Sequence, residues 1–270
     1  RDAAAQAQPD GWVDVSQAMM TTDTRPKLVT RSGGAFTVTG VAKGAGMIAP
    51  NMATMLVIIA TDAEVPAALL DEALHLAGEP SFNRIVIDGD MSTNDTVLLL
   101  ANGQSGFRVD AHNKAEFEAV LAEVCRELAR AIARDGEGAT RLVTIRVSGA
   151  SSAADAEAAG RAISTSPLCK TAFYGADPNW GRILAAAGRS GAELDPDRAA
   201  LWLCDAAGAP MFHLLDAGRP LPFDAKAASD LMRGEEWGFH LDIGIGAGDT
   251  TFWTCDLSHD YVSINADYTT

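Results

Sequence analysis

Apolar residues along this chain follow two spacings, one typical of strands and one typical of helices. FTVTGVA (36–42), RLVTIRVSGA (141–150) and the short NRIVIDGD (83–90) are apolar runs of strand length. TMLVIIAT (54–61) is apolar on both faces, which is typical of a central or buried strand. We predict a strand in each of these four stretches.

Longer stretches repeat their apolar residues near the 3.6-residue period of a helix. The longest, NKAEFEAVLAEVCRELARAIARDGEG, is predicted to end at Gly136. In TDAEVPAALLDEALHLAG, Thr61 or Asp62 is the expected cap. Pro66 then lies in the first turn and Gly78 ends the helix. SAADAEAAGRAIS and NWGRILAAAG predict two further helices.

Near its end the chain returns to strict alternation in WGFHLDIGIGAGDTTFWTCDLS. One face of this stretch carries Phe239, Leu241, Ile243 and Ile245, and GAGD is a turn-forming sequence. We therefore predict an antiparallel hairpin here, and a mixed α and β class for the chain as a whole.

Charge and composition exclude several classes of function. The 270 residues are 47% hydrophobic, and a net charge of -15 speaks against nucleic acid, whose phosphates are bound by clustered Lys and Arg. The apolar runs are too short to cross a bilayer, so we expect a cytoplasmic protein. Four cysteines without CxxC spacing are expected to be buried free thiols, and five scattered histidines predict no metal site.

One threonine, Thr54, lies where the turn-prone KGAGMIAPNMA meets the apolar MLVIIA. A threonine at the head of a strand is ordinarily there for its β-propensity. Here the small Ala53 precedes it and nearby glycines allow a tight backbone path, so the Thr54 hydroxyl can attack the Ala53 carbonyl and break the chain. The new terminal amine, with a pKa of about 8, is then a base for that hydroxyl. The signatures HExxH, GxSxG and GxxxxGK[ST] are absent from the sequence, which leaves Thr54 as the candidate nucleophile.

Four longer blocks of the sequence resemble one known family. KGAGMIAPNMATML resembles the autocleavage motif of the ornithine acetyltransferases, also called the arginine biosynthesis bifunctional protein family, and SFNRIVIDGDMSTNDTVLLLANG, KTAFYGADPNWGRILAAAG and INADYTT resemble three more of its blocks. The resemblance implies an α/β (α+β) fold layered αββα, similar to the N-terminal-nucleophile hydrolases. It also implies self-cleavage between Ala53 and Thr54, which makes 1–53 the last part of an alpha chain and 54–270 a beta chain.

The same resemblance implies an activity and its partners. The protein would move an acetyl group from N2-acetylornithine to glutamate through an acetyl-threonine intermediate, in the cyclic route of arginine (ornithine) biosynthesis. Its partners would be these small molecules and its own cleaved alpha chain, in a heterotetramer of two alpha and two beta chains. No cofactor is implied, and whether acetyl-CoA is a second acetyl donor stays open.

Residues for substrate binding are also implied by the resemblance. A carboxylate suits the ornithine ammonium, and a lysine with hydroxyl donors suits the α-carboxylate that ornithine and glutamate share. Taken alone, Lys43 is compatible with a surface lysine, and Glu137 is more simply interpreted as a solvated loop carboxylate after the end of a helix. The family's oxyanion donors precede the TTDT stretch, so we expect them upstream of Arg1. The implied binding residues are Thr21 or Thr22, Lys43, Thr54, Glu137, Asn265 and Thr270.

The remaining acidic and polar motifs are interpreted as structural. In DGDMSTND, the acids Asp88, Asp90 and Asp95 resemble a cation site or a helix cap, and the Ser-Thr pair followed by an aspartate favours capping. Asn179 and Trp180 of GADPNWGR are likewise read as architectural.

Two other functions stay open from the sequence. One is an autocatalytic aminopeptidase or amidohydrolase of the same architecture, in which water replaces glutamate as the acceptor. The other is a degenerate amino-acid-binding module that has lost its chemistry.

Overall fold

The computed structural model describes residue 8 and residues 10–49, 55–90 and 94–267. Ala53, Thr54 and Thr270 therefore lie outside the described residues. The strands are β1 (Lys27–Ser32), β2 (Thr37–Lys43), β3 (Leu56–Thr61), β4 (Ile85–Val86), β5 (Thr96–Ala101), β6 (Leu142–Ala150), β7 (Ala200–Cys204), β8 (Pro210–Asp216), β9 (Arg219–Pro220), β10 (Glu236–Asp242) and β11 (Gly248–Cys255). The helices are α1 (Trp12–Ala18), α2 (Ala67–Gly78), α3 (Lys114–Arg134), α4 (Ala153–Ser164), α5 (Pro167–Tyr174), α6 (Trp180–Gly188), α7 (Ala225–Met232) and α8 (His259–Asp267), with 3-10 turns at Phe82–Arg84 and Pro196–Arg198.

The chain forms two compact units, the first made of residues 1–83 and 90–135. Its sheet has the order β1-β2-β3-β5, antiparallel except for the parallel pair β3 and β5. Helix α3 packs on β1 and β2, and α2 packs on α3. Gly40 of β2 permits this packing, because a Cβ there would lie 2.7 Å from Leu128 Cδ1 of α3.

The second unit, residues 84–89 and 136–270, carries a seven-stranded sheet. Its order is β4-β11-β6-β10-β7-β8-β9, with β10 parallel to β6 and β11 antiparallel to β6. Helix α4 packs on β6 and β11, α6 packs on α4, and α7 packs on β10. Phe173, Trp237 and Phe239 form an aromatic cluster in this core, with ring centroids 5.5 to 6.0 Å apart. The mixed α and β class predicted from the sequence is confirmed.

The predicted terminal hairpin is wrong, because β10 and β11 are not neighbours. Strand β6 lies between them and pairs with both. The connecting residues cross the end of β6 and bind its carbonyls: the Ile243 N–H donates to Ser148 O at 2.8 Å and the Ile245 N–H to Gly149 O at 2.7 Å. The alternation and the turn correctly predicted two strands. They could not predict that β6, which comes earlier in the chain, lies between those two strands.

Helix α2 ends at Gly78 as predicted, but the predicted cap at its start is wrong. The helix begins at Ala67, after Pro66, without a side-chain cap. Thr61 and Asp62 instead close the end of the sheet, where the Thr61 hydroxyl donates to Thr37 O and Asp62 Oδ1 accepts the Thr37 N–H at 2.7 Å. Both residues look like caps in sequence, yet their partner is 24 or 25 positions away.

The four cysteines are buried and unpaired, as predicted. Burial raises the pKa of the Cys125 thiol to about 12, so this side chain stays protonated and inert. Among the helices within the described ranges, none is long and apolar enough to span a membrane.

Candidate functional site

Lys43 ends strand β2 in the first unit and is buried, with 8% of its surface exposed. Its ammonium donates a hydrogen bond to the Thr21 hydroxyl at 3.1 Å. Thr21 is thus the threonine of the TTDT stretch that the structure brings to Lys43, while Thr22 is half-buried beside it. The reading of Lys43 as a surface lysine is wrong.

A buried ion network fixes this arrangement, and sequence reasoning missed it. Lys27 lies between two carboxylates, with its Nζ 2.5 Å from Asp23 Oδ1 and 2.6 Å from Asp135 Oδ2. Asp23 also accepts the backbone N–H of Gly44 at 2.8 Å and of Thr21 at 3.1 Å. A single carboxylate therefore joins Thr21 to the residue that follows Lys43.

The two carboxylates of this network are well satisfied by donors. Burial raises the pKa of Asp23, but the Gly44 N–H and the Lys27 ammonium outweigh burial and leave this pKa below its usual value. Asp135 accepts the Thr24 N–H at 3.0 Å, the Thr24 hydroxyl and the Arg25 N–H at 3.3 Å. The sequence shows only that Asp23 and Lys27 are four residues apart, and it does not show that Asp135 joins them.

Strand β3, whose first residue lies two positions after Thr54, has polar groups on both neighbouring strands. Leu56 pairs with Lys43 of β2 on one side and with Thr96 of β5 on the other. Next to Thr96, Asp95 Oδ1 accepts the Met55 N–H at 2.6 Å, and the Thr96 N–H donates to Met55 O at 3.0 Å. The start of β3 is therefore held from both sides.

The predictions for β3 and for Asp95 need correction at this point. β3 is an interior strand, as expected, but its faces differ: Val57 and Ile59 are buried, whereas Leu56 is 40% exposed. Asp95 precedes a strand and does not cap a helix, so the capping interpretation is wrong for it; Ser92 and Thr93 of that motif lie outside the described residues.

Glu137 and Asn265 lie in the second unit and contact each other. Asn265 Nδ2 donates to Glu137 Oε2 at 2.9 Å and to Tyr261 O at 3.0 Å. Glu137 is half-buried and Asn265 is exposed on α8. A carboxylate has about four lone-pair directions, so Glu137 keeps acceptor capacity for a cation.

Helix α8 lies close to Glu137 because Ser258, directly before the helix, and Tyr261 within it pack against Gly138, the residue after Glu137. The Ser258 hydroxyl donates to Gly138 O at 2.6 Å, and Gly138 has a positive φ of 68°. A Cβ on Gly138 would lie 2.4 Å from Tyr261 N, so a side chain here displaces the helix. Gly138 was visible in the sequence as part of DGEG, but its contact with α8 was not.

Asn179 has the architectural role predicted for it. Its side-chain oxygen accepts the Arg182 N–H at 3.2 Å at the start of α6. Within the described ranges, no group of three or more His, Cys, Asp or Glu side chains has an arrangement that could hold a metal ion.

A family model described as the ArgJ family matches residues 1–270. The chain belongs to the ArgJ family. The resemblance of the four sequence blocks to this family is thereby confirmed.

Curated ArgJ relatives agree with this assignment. The chain is 49% identical to the arginine biosynthesis bifunctional protein ArgJ of Symbiobacterium thermophilum, over 100% of this chain and 67% of that protein. It is 48% identical to the protein of the same name from Geobacter sulfurreducens, over 95% of this chain and 66% of the relative. The chain thus spans about two thirds of the length of the curated ArgJ relatives it matches.

A solved ArgJ structure supports the fold. The crystal structure of the arginine biosynthesis bifunctional protein from Bacillus halodurans matches with a TM-score of 0.72 and 36% identity, over 77% of this chain and 96% of that chain. The predicted α/β fold class is therefore shared with a solved member of the ArgJ family.

Proposed function

We propose that the protein containing this chain is a glutamate N-acetyltransferase that moves the acetyl group of N2-acetylornithine to glutamate through an acetylated Thr54. The observation that carries the proposal is the pairing around the start of β3. Lys43, with the Thr21 hydroxyl on its ammonium, is the sheet partner of Leu56, two residues after Thr54. A cation and a hydroxyl next to the strand that follows the candidate nucleophile in the sequence suit an amino-acid substrate that carries an α-carboxylate.

Self-cleavage at Ala53-Thr54 is part of this proposal. Since 77% of this chain aligns with 96% of the Bacillus halodurans chain, that chain is about four fifths as long as this one. A segment from Thr54 to Thr270 is also about four fifths of this chain. The length of the solved chain thus supports a mature chain that begins at the threonine.

The chemistry divides into two acyl transfers. Thr54 Oγ bonds to the acetyl carbon while its proton passes to the terminal amine, and that proton then leaves with the ornithine nitrogen as the amide C–N bond breaks. The amine of glutamate next attacks the acetyl ester, and the Thr54 hydroxyl is regenerated. Lys43 and Thr21 bind a substrate carboxylate, and Glu137, held by Asn265, binds an ammonium; Thr270 completes the proposed binding residues.

The test follows labelled acetyl groups in the full-length protein. Purified enzyme with acetyl-labelled N2-acetylornithine and glutamate is expected to form labelled acetylglutamate, with parallel initial-rate lines because one threonine carries the acetyl group between substrates. Thr54→Ala should abolish transfer, and Thr54→Ser should retain part of it. Labelled free acetate without acetylglutamate would assign the protein to the hydrolases instead, and intersecting lines would indicate direct transfer.

Two finer points of the proposal have their own readouts. With acetyl-CoA as sole donor, formation of acetylglutamate would identify a bifunctional enzyme and its absence a monofunctional one. Native mass spectrometry is expected to find a heterotetramer of two alpha and two beta chains.

A further inference from the structure

Asp95 is the side chain that holds the residue next to the proposed nucleophile. Its Oδ1 accepts the Met55 N–H at 2.6 Å, and this nitrogen is covalently bonded to the carbonyl carbon of Thr54. The neighbouring Thr96 N–H binds Met55 O at 3.0 Å. The Asp95 carboxylate therefore lies one peptide unit from Thr54.

The second oxygen of this carboxylate is buried and lacks a hydrogen-bond partner among the described residues. Leaving a buried polar atom unpaired destabilises the folded state, most of all for a charged group, so most such atoms have partners. Burial raises the pKa of Asp95, against the Met55 N–H and the Lys43 charge, which lower it. Asp95 Oδ2 can therefore accept a hydrogen bond that none of the described residues donates.

The surroundings of Asp95 include residues on both sides of the cleavage segment. Asp95 and Met55 line a cavity of about 340 Å³ together with Ile48 and Ala49. Ile48 and Ala49 precede residues 50–54, and Met55 follows them. The carboxylate therefore lines the same cavity as the residues that come directly before and directly after the segment containing Ala53 and Thr54.

We propose that Asp95 is the positioning residue of the nucleophile: Oδ1 anchors the Thr54–Met55 peptide, and Oδ2 accepts a hydrogen bond from the amino group that cleavage creates on Thr54. This inference rests on the proposed function of Thr54. In other activated nucleophiles a third group orients the base. Here the nucleophile is the Thr54 hydroxyl, the base is the Thr54 amine and the orienting group is Asp95.

The role in the reaction is electrostatic and conserves protons. When Thr54 Oγ bonds to the acetyl carbon, its proton passes to the Thr54 amine, and the resulting ammonium is stabilised by the Asp95 carboxylate. The ammonium then gives that proton to the departing ornithine nitrogen. Asp95 itself stays ionised throughout, as an orienting carboxylate does.

Two replacements separate the functions of the two oxygens. Asp95→Asn keeps an oxygen that can accept the Met55 N–H but removes the charge, whereas Asp95→Ala removes both. Asp62 provides the matched control, because it also binds a backbone N–H, that of Thr37 at 2.7 Å, at the other end of β3. Each variant of the full-length protein is analysed for thermal unfolding, for cleavage by intact mass and for steady-state transfer.

We expect Asp95→Asn to lower kcat about a hundredfold or more, because the Thr54 amine, which transfers the proton, loses the charge that orients it and stabilises its ammonium form. The KM for N2-acetylornithine and the unfolding temperature should stay near the wild-type values. Asp95→Ala should lose both kcat and stability, while Asp62→Asn should leave kcat unchanged.

Two results would overturn the inference. If Asp95→Asn keeps full kcat, Asp95 only anchors the backbone of Met55. If only KM changes, Asp95 acts as a counter-ion of Lys43 and does not position the nucleophile. The proposed function itself fails if the wild-type protein shows no transfer or if Thr54→Ala retains transfer. The Asp95 inference alone fails if the wild type is active and Asp95→Asn is equally active.

Discussion

The surroundings of Lys43 and of Glu137 hold their polar side chains in opposite ways. Lys43 is buried at the end of an interior strand, next to a network of charges that are themselves almost fully buried. Glu137 is half-buried, and its partner Asn265 is on α8, a helix in which no described residue is buried. A substitution in the buried network beside Lys43 should therefore destabilise the fold. A substitution at Glu137 should change substrate binding with little loss of stability.

The largest effect that this comparison predicts is on folding of the first unit. Lys27→Met leaves Asp23 and Asp135 buried without their shared cation, which should lower the free energy of unfolding by about 3 to 5 kcal/mol. Urea unfolding followed by circular dichroism measures this loss. The control is Lys226→Met, which removes the exposed pair with Asp230 and should leave the midpoint unchanged. Equal, small changes in both variants would contradict the contrast.

A smaller effect, on binding and not on folding, is expected around Glu137. Glu137→Gln keeps the acceptor for Asn265 but loses the charge proposed to bind an ammonium. A hydrogen bond to a charged group contributes about 1.5 to 3 kcal/mol, so the KM for N2-acetylornithine should rise about ten- to a hundredfold. The unfolding temperature should stay within experimental error, as a thermal scan of the same samples would record. Loss of stability with unchanged KM would assign Glu137 a structural role.

The smallest effect is a pH dependence from a half-buried histidine outside both regions. Burial lowers the pKa of His240, and nearby Arg146 lowers it further, while Asp242 opposes both. Below about 6.5 the unfolded chain binds a proton that the folded chain does not, so the free energy of unfolding should fall as the pH falls from there towards the folded pKa. Above that value His240 is neutral in both states and contributes no slope.

Replacing the histidine isolates this contribution. His240→Gln should flatten the decline between pH 6.5 and the acid transition, whereas His112→Gln, at an exposed position, should leave the wild-type curve unchanged. Unfolding midpoints at a series of pH values provide the curves. Identical curves for wild type and His240→Gln would show that burial of this imidazole has no thermodynamic consequence.

Local periodicity was sufficient where an element is defined by its own sequence. The apolar stripe of α3 predicted a helix whose residues Phe117, Leu121 and Leu128 are buried, and it ended within two residues of the predicted stop. The stripe works because a single face of this helix packs on the sheet. The same applies to β2 and β6, which lie where the apolar runs predicted them.

Long-range partners were beyond the reach of the sequence pattern. The hairpin failed because β6, about ninety positions earlier, pairs with both predicted partners. The network beside Lys43 joins Lys27 to Asp135 across 108 positions, and Asp95 reaches Met55 across 40. The resemblance named Lys43, Glu137 and Asn265, but the groups that position Lys43 follow only from the fold.

The central claim is that Thr54 becomes a terminal nucleophile that carries the acetyl group. Intact mass spectrometry of the full-length protein tests it directly, before and after N2-acetylornithine is added. We predict a fragment that begins TMLVII, gains the mass of one acetyl group with N2-acetylornithine and loses it again when glutamate follows. An uncleaved chain under active conditions, or a cleaved chain that turns over substrate without ever holding an acetyl group, would contradict the account.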